Sequence, residues 1–248
     1  MIDFKKIREQ SILAAKRAVK NSLTKDLLVI QAINCIDDTD KVSSIFASRL
    51  REWYGYYNPE FTKIVHSNEK FSELVVSMSR KDLLRSLGVE ESQSMGADLE
   101  KKDLNAVLEL ARTLNCVYVF RKYLERYINV AMQETCPNIT AITGALLGAK
   151  LLSFAGSLKR LSELPASTIQ LLGAEKALFR HIRGLGKSPK HGILVQHPLV
   201  EKAKLSEKGK IARAIADKLS IAAKVDYFKG KFVGDKLKEA LEARFRKK

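Results

Sequence analysis

Turn-formers are scarce in this chain: 13 glycines and 5 prolines in 248 residues. That scarcity argues against a turn-rich sheet protein and favours long helices. Cysteines number three, Cys35, Cys116 and Cys136, an odd count without metal-ligand spacing. They exclude a disulfide framework and a zinc site, and read as small buried apolar residues. Met1–Gln10 is charged and has no apolar centre, so no signal peptide is expected. The apolar run Ile139–Leu158 is interrupted by Lys150, Ser153 and Ser157, which favours a buried helix over a membrane span. Acidic charge is also in short supply: Lys and Arg total 44 against 28 Asp and Glu, a net of +16.

That excess is lopsided. Residues 146–248 hold 23 basic and nine acidic residues, whereas residues 1–145 hold 21 and 19. A basic half joined to a nearly neutral half implies a polyanionic partner for the basic one, with nucleic acid the first candidate. The basic residues lie in varied segments and not on one long amphipathic helix, so an anionic membrane is not the expected partner. An apolar content of 46% is enough for a folded core.

Apolar residues recur at three- and four-residue steps from Leu27 to Tyr57 and from Leu104 to Gln133. The pattern predicts two long helices of roughly 45 Å each, packed antiparallel as a coiled-coil-like arm. The stripes depart from clean heptads, and two chains are expected to bury faces that one leaves exposed. Shorter helices are expected over 60–100, broken at Gly88 and Gly96. Beyond Pro137, Gly144, Gly148 and Gly156 punctuate an apolar helix where small residues admit a close neighbour. Helices follow over Thr168–Arg183 and Ser206–Phe228, with a short loop or strand at His191–His197 and a frayed basic tail from Lys229.

Several catalytic motifs fail on inspection. Gly186-Lys187-Ser188 suggests a phosphate loop, but His181 stands where that loop needs glycine, and the segment follows a helix. Asp37, Asp38 and Asp40 lie inside a helix without the spacing of a calcium loop. His191 and His197 have no third ligand nearby. No acid–base pair or activated nucleophile emerges, so neither an enzyme nor a cofactor is expected.

The informative segment is Gly173-Ala-Glu-Lys-Ala-Leu-Phe-Arg-His-Ile-Arg-Gly184. On a helix Lys176, Arg180 and Arg183 stand at i, i+4 and i+7, while Leu178, Phe179 and Ile182 are expected to anchor the opposite side in the core. Lys187, Lys190 and His191 continue the positive surface into the next loop. Arginine forks and close-approaching glycine amides suit phosphate.

The stretch from Ser157 to Arg180, its continuation Lys187–Pro198, and the segments Arg49–Tyr54, Ser94–Gly96, Gly209–Arg213 and Ala223–Phe228 together resemble the Nop-domain family in its order along nearly the whole chain. The family comprises the archaeal and eukaryotic box C/D ribonucleoprotein scaffolds and a related pre-mRNA splicing factor. The resemblance implies an all-α protein: a long antiparallel helical arm over residues 1–136 that dimerises, then a compact helical Nop domain over 137–248. It implies docking on box C/D guide RNA at a kink turn already bound by a ribosomal-like partner protein, organising 2′-O-methylation of ribosomal RNA. The matching residues at the RNA would be Gly173, Ala174, Glu175, Lys176 and Arg180, with Arg183, Lys187, Lys190, His191, Gln196 and His197 completing the face. Glu175 would position Lys176 or meet a base edge. Fibrillarin is expected only through an N-terminal domain that has no counterpart in these residues. Tyr57-Asn-Pro-Glu-Phe61 departs from the family's aromatic before proline. The expected location is the archaeal cytoplasm, or the nucleolus in a eukaryote. A splicing-factor-like or other ribonucleoprotein assembly role, and a structural coiled-coil protein, stay open as alternatives.

Overall fold

The computed structural model describes residues 4–245. Among these residues there are fourteen α-helices, two short 3₁₀ turns and no strand, in agreement with the all-α expectation. The chain divides into two compact units, residues 35–126 and residues 1–34 with 127–248. The units therefore do not part at a single cut after residue 136, because both long helices run from one unit into the other. Those helices are α2 (Lys25–Gly55) and α6 (Lys101–Thr135). Each lies within three residues of its predicted bounds. They run antiparallel: Asp40 meets Arg121 in one unit and Lys25 meets Glu134 in the other.

In the 35–126 unit, α3 (Pro59–Ile64), α4 (Asn68–Ser77) and α5 (Arg80–Ser86) occupy the segment expected to hold short helices. Its core is aromatic. Tyr54 meets Phe61 and Phe71 edge-on at 6.2 and 5.8 Å, with Leu50, Val107, Ala111 and Leu114 buried around them. Each of the larger side chains contributes roughly 1.5–3 kcal/mol by leaving water. Arg51, which periodicity assigns to the polar face, instead closes the turn after α3. It donates to Thr62 O, Val65 O and His66 O at 2.7–3.1 Å and lies 4.5 Å from the Phe71 ring. Asn58 caps α3 and Pro59 takes its first position, where a missing N–H costs nothing. Eight of the nine ion pairs found among the described residues lie in this unit, whose 15 acidic and 14 basic residues are nearly balanced.

The other unit is wound about α13 (Leu205–Tyr227), whose Ala212, Ala214, Ala216, Ala222 and Ala223 are buried and let neighbours come close. Around it lie α7 (Pro137–Thr143), α9 (Leu158–Glu163), α10 (Ala166–Leu171), α12 (Pro198–Glu201) and α14 (Gly234–Phe245). The apolar run forms α7 and α8 (Ala145–Ala155), bent by 117° at Gly144, where φ is +77°. No single helix among the described residues is long and apolar enough to cross a membrane. Gly148 answers the small-residue pattern: an added Cβ would stand 2.8 Å from Met132 Cε. Asp226 is buried and accepts from Asn138 N, Asn138 Nδ2 and Ile139 N at 3.1, 2.6 and 3.0 Å, so a side chain of α13 caps α7. Burial raises its pKa, while those three hydrogen bonds oppose the rise.

Two expectations are corrected here. The segment after Lys229 is not frayed: α14 buries Leu241 and packs on α7, and only residues 246–248 of that segment lie outside the described ones. Near the other end, α1 (Phe4–Asn21) is a helix the periodicity reading did not register, and none of its side chains is buried.

Candidate nucleic-acid interface

The long helix read over Thr168–Arg183 is two helices with a sharp turn between them. Gly173 adopts φ +81°, which breaks the chain between α10 and α11 (Glu175–Ile182). Glu175 folds back so that its carboxylate accepts from Gly173 N at 2.7 Å. It therefore holds the turn that aims α11, and has one oxygen committed to the backbone.

The loop after α11 is anchored at both ends. Leu185 N donates to Arg180 O at 2.9 Å, and His181 Nδ1 lies 2.9 Å from Gly186 O. At the far end Gly192 N donates to Gln170 O and Ile193 N to Leu172 O, at 2.9 and 2.7 Å. Gln170, buried in α10, donates through Nε2 to Lys190 O at 2.6 Å. Gly192 is required there because a Cβ would collide with Leu172 O. Gln170 was not among the candidate residues; its signal, a polar side chain on an apolar helix face, is too common to single out from sequence.

Lys176, Arg180, Arg183, Lys187 and Lys190 are all exposed. Among the described residues none of the five is in an ion pair. Arg183 lies 4.2 Å from the Phe179 ring, a cation–π contact that restrains its guanidinium. Gly173 and Gln196 are exposed, and Ala174 and His191 are half-buried on the same turn and loop.

Two candidate assignments change. Phe179 and Ile182 do not anchor α11 in the core; they are 54% and 72% exposed, and α11 buries no residue. With Leu185, 72% exposed, they put apolar surface beside the cations. The 3.6-residue period sets Ile182 apart from Lys176 and Arg180, but Phe179 stands one turn from both Lys176 and Arg183 and borders the cationic row, and no element among the described residues covers this apolar surface. His197 does not belong to the face. It is buried, its Nδ1 accepts from Leu199 N at 3.2 Å to cap α12, and its Nε2 lies 3.0 Å from Ile142 O. Only the neutral Nε2–H tautomer satisfies both contacts. Burial, aided by the charge of Lys238 and opposed by the Ile142 contact, lowers its pKa below 6.5. Of the loop and the strand expected over His191–His197, the structure has the loop, with a 3₁₀ turn over Ile193–Gln196.

Residues 35–247 match the family model described as "Nop: snoRNA binding domain, fibrillarin". An NOP5 family protein of Methanocaldococcus jannaschii is 40% identical over 255 residues, covering 97% of this chain and 61% of that protein. Nucleolar protein 58 of Aspergillus fumigatus is 38% identical over 86% of this chain and 38% of its own length. Nucleolar protein 56 of Schizosaccharomyces pombe is 37% identical over 82% and 45%. This chain thus spans less than two thirds of the length of these relatives. Among solved structures, a crystal structure of a fibrillarin/Nop5p complex shares the fold, with a TM-score of 0.59 over 98% of this chain and 77% of that one at 24% identity. From the family model, the identities and the shared helical fold together, the chain belongs to the Nop family, with the NOP5 and nucleolar 56/58 proteins as its relatives.

Proposed function

We propose that this chain is a non-catalytic RNA-binding scaffold of a box C/D guide ribonucleoprotein. Its α11 face docks on kink-turn RNA already bound by a ribosomal-like partner protein, and two copies associate through the long helices to organise 2′-O-methylation of ribosomal RNA. One observation carries the reading: five exposed cations outside any ion pair among the described residues, on one helix and the loop after it, beside exposed Phe179, Ile182 and Leu185. Cations recognise phosphates, whereas the apolar strip suits a protein, so a composite surface of RNA and protein meets both needs. A bent RNA with crowded phosphates is discriminated by a rigid shaped surface without reading a long sequence. The turn at Gly173, held by Glu175, and the loop held by Gln170 supply that rigidity. Gly173, Ala174, His191 and Gln196 border the cations, and His197 supports the loop from behind.

The test is a salt titration of binding to a kink-turn RNA with and without the partner protein. Binding is expected to require both the kink and the partner and to fall steeply with salt. Lys176→Glu/Arg180→Glu is expected to abolish assembly. Equal affinity for any duplex, or assembly unchanged by the double variant, refutes the reading.

A further inference from the structure

Away from α11, a cavity of about 820 Å³ opens between the start of α2, the end of α6 and the loop after α13, within the range of ligand pockets. Its rim carries Tyr227, Lys229 and Phe232 from the run Tyr-Phe-Lys-Gly-Lys-Phe, in which rings and cations interleave. Phe228 and Phe232 are 76% and 52% exposed, and Phe228 meets Tyr227 edge-on at 5.0 Å. The rings are not on a slack loop. Gly230 N donates to Val225 O at 2.8 Å, Lys229 takes a left-handed φ of 52°, and Val233 N donates to Asn138 Oδ1 at 2.7 Å. Asn138 is held in turn by Asp226.

Three lysines and three carboxylates line this cavity, but the two signs are engaged differently. The lining carboxylates are occupied: Asp226 by three donors, Asp26 by Leu158 N at 2.7 Å, and Glu134 by Lys25. Lys159 and Lys229 line the cavity and are in no ion pair among the described residues. In its wall, Thr135 Oγ1 is buried without a hydrogen-bond partner. A buried hydroxyl in that state calls for a ligand atom or a water.

Flat apolar faces and lysines outside any ion pair are two things an unpaired nucleotide uses: a stacking platform and a phosphate contact. An apolar peptide would leave the lysines without a role. We propose that this cavity and its aromatic–lysine loop take an unpaired nucleotide of single-stranded RNA, with the base against Tyr227 and Phe232 and the phosphate on Lys159 and Lys229. The site rests on the reading of the chain as an RNA-binding protein, but not on the α11 face.

The test titrates the whole chain with labelled single-stranded oligouridylate and oligoadenylate, neither of which forms a kink turn, and follows anisotropy. Tyr227→Ala/Phe232→Ala and, separately, Lys159→Glu are each expected to weaken binding about fivefold or more. These side chains are exposed, so thermal melts are expected to match the parent. Crosslinks from 4-thiouridine are expected within 225–232. No oligonucleotide binding by the parent, affinity unmoved by both the aromatic and the Lys159 variants, or crosslinks elsewhere overturns the proposal. So does an acidic peptide that competes for the cavity while RNA binding ignores the variants. Oligonucleotide binding that survives when kink-turn docking fails would sink the α11 reading alone, and the converse would sink this one alone.

Discussion

Glycines 192 and 186 sit six residues apart on the same loop, yet they are expected to respond differently to alanine. A Cβ at Gly192 meets the Leu172 carbonyl, whereas one at Gly186 meets open space. Gly192→Ala is therefore expected to destabilise the unit by about 2 kcal/mol or more and to weaken RNA docking by displacing Lys190. Gly186→Ala should stay within about 0.5 kcal/mol. Urea denaturation of the two variants checks this. His197 supplies a pH dependence. Its folded pKa lies below 6.5, so the unfolded chain binds the proton first as pH falls. The stability it confers is complete above about pH 6.5 and drains below that value, at up to about 1.4 kcal/mol per pH unit. Protonation would set an Nδ1–H against the Leu199 N–H that it now accepts. His197→Asn keeps a capping acceptor and is expected to flatten the fall in urea midpoint between pH 7 and 5. Asp226 acts in the opposite sense. Its raised folded pKa makes stability decline as pH climbs from 3.8 through that pKa, so the His197 slope is best read as the difference between parent and variant.

Helices register the same forces over longer stretches. On α6, Cys116, exposed and not buried as its type suggested, forms with Val119, Phe120 and Tyr123 an exposed strip at three- and four-residue spacing, with Val119 64% and Tyr123 59% exposed. Nothing in the 35–126 unit covers it, which supports the proposed association of two copies. Phe120→Glu/Tyr123→Glu is expected to yield a folded monomer by light scattering, against a dimer for the parent. A dimer surviving in the variant moves the interface elsewhere. The cap that α13 places on α7 is an inter-element dependency of another kind. Asp226→Ala strands the Asn138 and Ile139 amides in the interior, at an expected cost of about 3 kcal/mol, and frees Asn138 from the loop it holds through Val233. The long helices were legible in the sequence because apolar periodicity over some thirty residues leaves little ambiguity. The break at Gly173 was less legible, since one glycine within a continuing period reads equally as a tolerated substitution. The apolar side of α11 could not be read at all: Phe179 and Ile182 carry the same pattern whether their cover comes from this chain or from a partner.

Across the molecule, the asymmetry of charge becomes an asymmetry of pairing. The 35–126 unit ties seven of its 14 cations into ion pairs, whereas the five cations of the α11 face, and Lys159 and Lys229 at the cavity, have none among the described residues. Exposed like charges left unpaired raise the free energy of the isolated fold slightly and favour a polyanion. RNA affinity should therefore fall log-linearly with salt, and Lys190→Ala should lower the slope by about one while leaving the preference for a kink turn unchanged. Isothermal titrations at three salt concentrations check this; an unchanged slope would take Lys190 off the phosphates.

Composition and local pattern, with no structure, determined the all-α class, the two long helices, the basic C-terminal half and the row Lys176, Arg180, Arg183. These follow from short-range geometry and from charge that no folding can cancel. Tertiary structure alone decided which groups face inward. It turned His197 into a buried cap, Glu175 into a hinge for Gly173, Gln170 into the anchor of Lys190, and Tyr227 and Phe232 into the rim of a cavity. Each of those outcomes depends on which distant backbone or side chain arrives within hydrogen-bond or van der Waals reach, and that is set by the packing of α10, α12 and α13 and not by any local run of residues.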